Sequence, residues 1–319
     1  MSSLMMLGLD IPSEIEGTVD VAIIGSGPAG MTAAVYAARK KLKTAMITKD
    51  IGGQVAWTLG IENYPGYQYI TGRELTSKFQ EQVQQFPVSI LLDEAKEIKR
   101  NADTFTIITT GDRNVEARTV IIATGKRSRE LGVPNEKSLV GHGVSYCSTC
   151  DGPLFGGKDV VICGGSNSAV SAAIDMSGTA SKVFVVSRSP WRADAILIEK
   201  VEQKTNVEKR VGYDVLEIIG DNVVRGLRIR DKKTGKEEVL DVQGVFVEIG
   251  LDPNTEFVRG LLELNENNEI IVDCMCKTDI PGIYAAGDVT MVHEKQIVVA
   301  AGEGAKAALS AYEYLLRKK

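Results

Sequence analysis

The sequence predicts an α/β fold of two nucleotide-binding βαβ domains, each built on a parallel central sheet. Three observations carry this. A short β-branched strand, Val19 to Ile24, runs into Gly25-Ser26-Gly27-Pro28-Ala29-Gly30 and then an alanine-rich stretch, Met31 to Lys40. The same order returns at Lys158 to Cys163, Gly164 to Ser168 and Ala169 to Met176. Between the two turns lies Cys147-Ser148-Thr149-Cys150-Asp151, a Cys-x-x-Cys pair followed at once by an acid.

Gly25, Gly27 and Gly30 fall at Gly-x-Gly-x-x-Gly spacing. After a strand and before a helix, that spacing points to a dinucleotide. The glycines permit a tight turn and close backbone approach, and the helix N-terminus favours a pyrophosphate. Lys43 to Thr48 completes the first βαβ unit and Lys182 to Val186 the second. Two Rossmann-like starts roughly 140 residues apart imply two domains, not one large sheet. Between them, Thr119 to Ile122 reads as a buried strand ending in Ala123-Thr124-Gly125. A similar step from strand to glycine returns at Gly282 to Asp288, and Lys295 to Leu316 reads as an alanine-rich helix.

Composition bounds the function. A chain of 319 residues with 44% hydrophobic and 25% charged residues is expected to form about two soluble globular domains. Either can bury a core without disulfide staples. A net charge of −5 argues against nucleic acid and anionic membrane surfaces as partners. No apolar run reaches the length of a membrane span. Residues Met1 to Thr18 carry Asp10, Glu14 and Glu16 and lack the basic-then-apolar order of a secretory leader. Five cysteines are too few for a secreted disulfide scaffold, so a reducing cytoplasm is the expected setting.

In that compartment a Cys-x-x-Cys is read as catalytic. Two cysteines so spaced can close a small disulfide that exchanges with thiols, and the adjacent Asp151 is placed to move protons as it opens and closes. Zinc would need four ligands, and no second Cys-x-x-Cys or Cys/His cluster completes them, so no metal is expected. Flanked by nucleotide turns, the pair suggests a flavin enzyme that passes electrons into a protein disulfide. His142 and His293 read as ordinary loop histidines, and Cys163 as a small buried hydrophobe in a strand. Cys274 and Cys276 read as structural, with strand alternation placing both side chains on one face.

The ordered set Gly25-x-Gly27-x-x-Gly30, Gly52-Gly53-Gln54, Asn63-Tyr64-Pro65-Gly66, Ala123-Thr124-Gly125, Cys147-x-x-Cys150-Asp151 and Gly287-Asp288 resembles the low-molecular-weight thioredoxin reductases over essentially the whole chain. The resemblance implies a discontinuous FAD domain, residues 1–127 and 246–319, with a pyridine-nucleotide-type domain inserted at 128–245. It also implies a homodimer whose domains alternate between two arrangements. Gly25, Gly27 and Gly30 would pass the FAD pyrophosphate. Thr48, Lys49, Gly53 and Gln54 would line its ribose and ribityl side, and Asn63 would sit near the ring. Thr124, Gly125 and Gly287 complete the cofactor set, and Asp288 would hold the ribityl chain. Gln296 and Ile297 would offer backbone N–H groups to the pyrimidine end, where a helix N-terminus favours charge on reduced flavin. The resemblance makes Cys150 the thiol nearest the flavin, Cys147 the nucleophile toward a thioredoxin- or glutaredoxin-like protein, and Asp151 the acid–base group.

The second nucleotide site departs from that family. Its turn reads Gly164, Gly165, Ser166, Asn167, Ser168, Ala169, with Ser166 where the middle glycine would let the backbone approach a pyrophosphate. The next strand ends in Ser187-Arg188-Ser189-Pro190-Trp191-Arg192. NADPH-specific members carry a His-Arg-Arg-x-x-x-Arg cluster there, because a 2′-phosphate needs guanidinium pairing. Arg188 and Arg192 remain, and no acid at Ser187 holds the ribose of NADH. NADPH is therefore expected to be a poor donor that NADH does not replace. A protein or small-molecule carrier, such as reduced ferredoxin or a deazaflavin, would then supply the flavin. The competing readings are an ordinary NADPH-dependent reductase, a diaphorase of the ferredoxin–NADP reductase type, and a non-catalytic flavin redox sensor.

Overall fold

The computed structural model describes residues 15, 17–58 and 60–318. The chain divides into two compact units. Residues up to Ala56, Gly72–Arg127 and the stretch from Asp252 onward form the first, and Trp57–Thr71 with Ser128–Leu251 form the second.

In the first unit, β1 (Val19–Ile24) is buried along nearly its whole length, as a strand covered on both faces must be. Gly25 ends it at φ +107°, and α1 (Pro28–Arg39) opens on a proline, whose missing N–H costs nothing in a first turn. β2 (Thr44–Thr48) is wholly buried. After α2 (Gly72–Gln84) come β3 (Val88–Leu92), β4 (Ala95–Arg100), β5 (Phe105–Thr109) and β6 (Asn114–Ile122). The strands lie in the order β3-β2-β1-β6-β5-β4. The first four are parallel, and β5 and β4 run antiparallel to their neighbours.

The chain leaves this unit through β7 (Lys126–Ser128). The second unit then places β8 (Val144–Ser145) before the single-turn helix α3 (Ser148–Asp151). The second βαβ unit follows as β9 (Asp159–Cys163), α4 (Asn167–Ser177) and β10 (Lys182–Ser187), then α5 (Ala195–Glu202) and β11 (Val207–Val211). A meander of β12 (Tyr213–Gly220), β13 (Val224–Asp231) and β14 (Glu237–Asp241) pairs antiparallel. The chain then re-enters the parallel sheet as β15 (Gly244–Val247), giving the order β11-β10-β9-β15-β8. The expected return to the first domain at residue 246 falls inside β15, which is hydrogen-bonded to β9 and β8. The return comes at Asp252 instead, in β16 (Leu251–Pro253), which pairs with β7.

Back in the first unit, β17 (Ile283–Ala285) pairs with the C-terminal half of β6, leaving the N-terminal half of β6 to β5. Cys274 and Cys276 correct the expectation of a strand with both side chains on one face. They sit in a turn in which Asp273 Oδ1 accepts the Met275 and Lys277 N–H groups. Cys276 takes φ +63°, which turns its side chain inward while Cys274 stays exposed.

The last helix, α6 (Ile297–Arg317), packs its alanine-rich face on α1. Small residues let the two backbones close up. A Cβ added at Gly304 would lie 2.0 Å from the carbonyl oxygen of Ala29, whereas one at Gly302 meets nothing within 4 Å. Gly304→Ala is therefore expected to force the helices apart and cost about 1–3 kcal/mol. Gly302→Ala should be neutral or stabilise by up to about 1 kcal/mol through helix propensity. Urea unfolding of the two variants beside the wild type checks the contrast.

Candidate active site

The first glycine turn is shaped by backbone packing. A Cβ at Gly25 would lie 2.3 Å from the Ala123 carbonyl oxygen, and one at Gly30 would lie 1.9 Å from the Gly25 carbonyl oxygen. Both positions exclude any side chain. A Cβ at Gly27 or Gly125 would meet nothing within 4 Å, so there the turn opens onto free space. Gly53, at φ +58°, approaches Gly27, with its added Cβ 3.5 Å from the Gly27 Cα. Ser26 Oγ and Thr48 Oγ1 lie 3.0 Å apart, each in reach of the Asp50 carbonyl. Thr124 Oγ1 donates to the Asn254 carbonyl at 2.9 Å, and the Asn254 amide returns a bond to Thr124.

Beside this turn lies a charge cluster that motif reasoning missed. Glu269 pairs with Lys126 at 2.5 Å and with Lys295 at 3.3 Å, and all three side chains are at most 17% exposed. Burial pushes the Glu269 carboxyl up, but hydrogen bonds from Lys126 and Asn265 and the charge of Lys295 outweigh it, leaving the pKa below the usual value. Lys295 is pulled below its ordinary value by burial and by Lys126, against Glu269. Its Nζ also donates to the Thr290 carbonyl at 2.6 Å. Burial raises Asp288, with Lys295 and Lys126 opposing. Buried Glu303 accepts the Gly287 N–H at 2.7 Å, pinning the turn before Asp288. Gln296 is the N-cap residue of α6, and Ile297 begins it.

Of the expected first-unit residues, the structure gathers Gly25, Gly27, Gly30, Thr48 and Gly53 at one turn. Gln54 donates to the Lys126 carbonyl, which ties it to the charge cluster. Lys49 is exposed and pairs with Glu94 at 3.8 Å. Asn63 belongs to Trp57–Thr71, the segment that goes with the second unit. The residues present fit FAD: an open glycine turn, a 21-residue helix starting at Ile297, and two buried lysines matched by one strongly acidic carboxylate.

In the second unit, Cys147 and Cys150 form a disulfide with Cα atoms 5.3 Å apart. Cys147 N-caps α3, its sulfur accepting the Cys150 N–H at 3.2 Å. Ser145, at the end of β8, organises the acid. Its Oγ donates to Asp151 Oδ2 at 2.6 Å and accepts the Cys147 N–H at 3.0 Å. Asp151 is 6% exposed, so one hydroxyl joins the buried carboxylate to the first cysteine. Cys163 is buried in β9 with its thiol pushed up to about 12 by burial, then by Glu136. His142 and His293 are exposed.

The second turn repeats the first with changed side chains. A Cβ at Gly164 would lie 2.3 Å from the Glu248 carbonyl oxygen, so Glu248, after β15, stands where Ala123 stands after β6. Ser166 N-caps α4 at φ −91°, ψ −179°, close to Gly27 at the start of α1, φ −72°, ψ −174°. That extended backbone suits any residue, so the serine costs the fold nothing and its effect falls on a ligand. Asn167 and Asp194 exchange two hydrogen bonds, at 3.0 and 2.8 Å. Trp191 covers Gly165, whose added Cβ would lie 3.0 Å from the indole, and the Arg192 N–H donates to the Gly165 carbonyl at 2.7 Å. Exposed Arg188 pairs with Asp214 at 3.3 Å.

This arrangement can be set beside known proteins. The model of the pyridine nucleotide-disulphide oxidoreductase family matches residues 19–304. The chain belongs to that family. Among solved structures, thioredoxin reductase from Streptococcus pyogenes is 41% identical, with a TM-score of 0.89, covering 95% of this chain and all of that one. Thioredoxin reductase from Giardia duodenalis is 34% identical with a TM-score of 0.87, covering 94% of this chain and all of that one. The flavoprotein-type F component of alkyl hydroperoxide reductase from Pseudomonas putida is 44% identical over 303 residues, 93% of this chain and 58% of the relative. Its Staphylococcus aureus counterpart is 41% identical over 300 residues, 93% of this chain and 59% of the relative. The chain thus spans little more than half the length of these curated relatives. It is a mixed α/β FAD-dependent pyridine nucleotide-disulphide oxidoreductase of the thioredoxin reductase type, with a redox disulfide at Cys147–Cys150. None of its described helices is long and apolar enough to cross a membrane.

Glu269→Gln removes the carboxylate shared by two buried ammonium groups, and leaving buried charges unmatched costs about 3–5 kcal/mol. Because the folded-state pKa of Glu269 is lowered, its contribution is complete above the unfolded-state pKa of about 4.3. The contribution is lost as pH falls through the folded value. Urea unfolding should therefore show a large deficit for Glu269→Gln at pH 7 that narrows on acidification below the unfolded value.

Proposed function

We propose that this oxidoreductase reduces the disulfide of a thioredoxin- or glutaredoxin-like protein through Cys147 and Cys150, with FAD as the internal carrier and a donor other than NADPH. The observation that carries the reading is the Cys147–Cys150 disulfide closed beside Asp151, with Ser145 bonded to both the acid and Cys147. FAD, when bound, supplies a two-electron step between donor and disulfide. Two electrons and two protons convert the disulfide to a dithiol. The Cys147 thiolate then attacks the partner disulfide and releases one partner thiolate. The Cys150 thiolate attacks the resulting mixed disulfide, re-forms Cys147–Cys150 and releases the second. Asp151 carries the protons, oriented by Ser145.

The roles at the flavin follow the same reading. Gly25, Gly27 and Gly30 would pass the pyrophosphate at the open turn, and Asp288, Gln296 and Ile297 would meet the ribityl and pyrimidine parts. The view that NADPH is a poor donor is supported by the Ser166 side chain at the pyrophosphate position. Arg188, already paired with Asp214, supports it from the 2′-phosphate side. The likeness to the F component of alkyl hydroperoxide reductase, 44% identical, favours a second acceptor, a disulfide on the partner protein of a peroxide-reducing system.

The acceptor test mixes chemically reduced, FAD-loaded protein with thioredoxin, glutaredoxin or a peroxide-reducing partner and counts the partner thiols formed. Cys150→Ser should abolish transfer, and Asp151→Asn should slow it by about 10²–10⁴-fold. Transfer unaffected by Cys150→Ser would favour a diaphorase, and no transfer by the wild type would favour a flavin redox sensor. The donor test is anaerobic stopped-flow mixing with NADPH and with NADH, expected to leave the flavin largely oxidised. Rapid bleaching by micromolar NADPH would overturn the donor assignment.

A further inference from the structure

The second glycine turn and the cysteine pair are joined by a chain of polar groups that neither the nucleotide motif nor the Cys-x-x-Cys motif predicts. Ser166 and Ser168 at the start of α4 have hydroxyl oxygens 3.1 Å apart, and Ser168 is exposed. The Ser168 hydroxyl donates to the carboxylate of Glu248. Glu248 Oε1 in turn accepts the Ser148 N–H at 3.4 Å and is also bonded by the Ser148 hydroxyl. Ser148 is buried and stands between the two cysteines.

The position of Glu248 follows from the fold. Its carbonyl is the surface on which Gly164 rests, and its N–H donates to the Cys163 carbonyl at 2.8 Å. The backbone is therefore fixed from both sides, and the half-buried side chain lies between α3 and α4. The first unit has Ala123 at this place, so no equivalent link exists there. In this chain the residue after the central strand carries a charge, and that charge touches the turn that must open and close during thiol exchange. Burial works to keep the carboxylate neutral, and the Ser148 and Ser168 bonds work to keep it charged. Losing one of these bonds alters its charge, so a change at the second turn is felt at α3.

We propose that Glu248 is a positioning residue for thiol–disulfide exchange at Cys147–Cys150, linked through Ser168 and Ser166 to the second glycine turn, so that the state of that turn sets the reactivity of the Cys147 thiol. The inference rests on the disulfide-reductase reading and deepens it. It also gives the serine at the middle-glycine position a role, as the outer end of the relay.

A carboxylate beside α3 disfavours a thiolate at Cys147, so removing its charge should favour one. The test uses FAD-loaded protein in a Cys274→Ser background, which removes the exposed thiol outside the pair. The protein is reduced with dithiothreitol and desalted under argon, and Cys147 alkylation by iodoacetamide is followed by peptide mass across pH. Glu248→Gln should move the pH midpoint of alkylation down by about one pH unit, raising the rate below the midpoint by about tenfold. Ser168→Ala, a change at an exposed residue remote in sequence from both cysteines, should move it the same way by less. A Glu248→Gln profile that superimposes on the wild type, or shifts upward, overturns the proposal. A Ser168→Ala profile identical to the wild type overturns the link to the turn, and it decides alone if Glu248→Gln does not fold. No donor or partner protein enters this readout, so its failure is separable from failure of the reductase reading, which the acceptor test addresses.

Discussion

Both units depend on the same contact, the first glycine of a strand–turn–helix pressed against the carbonyl at the end of the neighbouring central strand. Gly25 rests on Ala123 and Gly164 on Glu248, each so close that an added Cβ would come within 2.3 Å of the oxygen. The contact fixes where the helix starts, and the helix start fixes where its N–H groups point. It also fixes what stands beside the turn. In the first unit that is a methyl group and an open face at Gly27. In the second it is a carboxylate directed at the redox disulfide. One packing rule thus yields a cofactor cradle in one unit and a control element in the other.

The electrostatics of the two turns differ accordingly. Lys126 and Lys295 bring two positive charges to the first, held in place by one carboxylate and by α6, whose N-terminus adds the positive end of a dipole. That balance suits an anionic cofactor. The second turn presents serine hydroxyls, an amide already bonded to Asp194 and an arginine already bonded to Asp214. Its polar groups are engaged with the protein. The donor assignment and the proposed relay are two consequences of that engagement.

Much of this was legible in the sequence. The parallel strands read clearly because strands buried on both faces are continuous β-branched runs, and both glycine turns read because only glycine meets their contacts. The Cys-x-x-Cys-Asp segment read because its chemistry is local. The charge cluster was not legible, because Lys126, Glu269 and Lys295 are distant in sequence and meet only in the fold. Glu303 left a fainter trace, a lone acid between Gly302 and Gly304 on an apolar helix face. Glu248 and Ala123 occupy matching places, each two residues before a glycine in a left-handed conformation, Gly250 and Gly125. That echo was present in the sequence, but its meaning needed the sheet order. Cys274 and Cys276 misled because alternation was assumed where Asp273 builds a turn, and the domain return was placed early because β15 looks like the start of the next unit.

The central claim is that Cys147 and Cys150 are a redox couple in electronic contact with the flavin. Anaerobic titration of the FAD-loaded protein with dithionite, with the cysteine state read by alkylation and mass at each point, tests it most directly. The account predicts an uptake of about four electrons per chain, two by the flavin and two by the disulfide, with both thiols appearing during the titration. Complete flavin reduction after about two electrons, with Cys147 and Cys150 still joined, would contradict it.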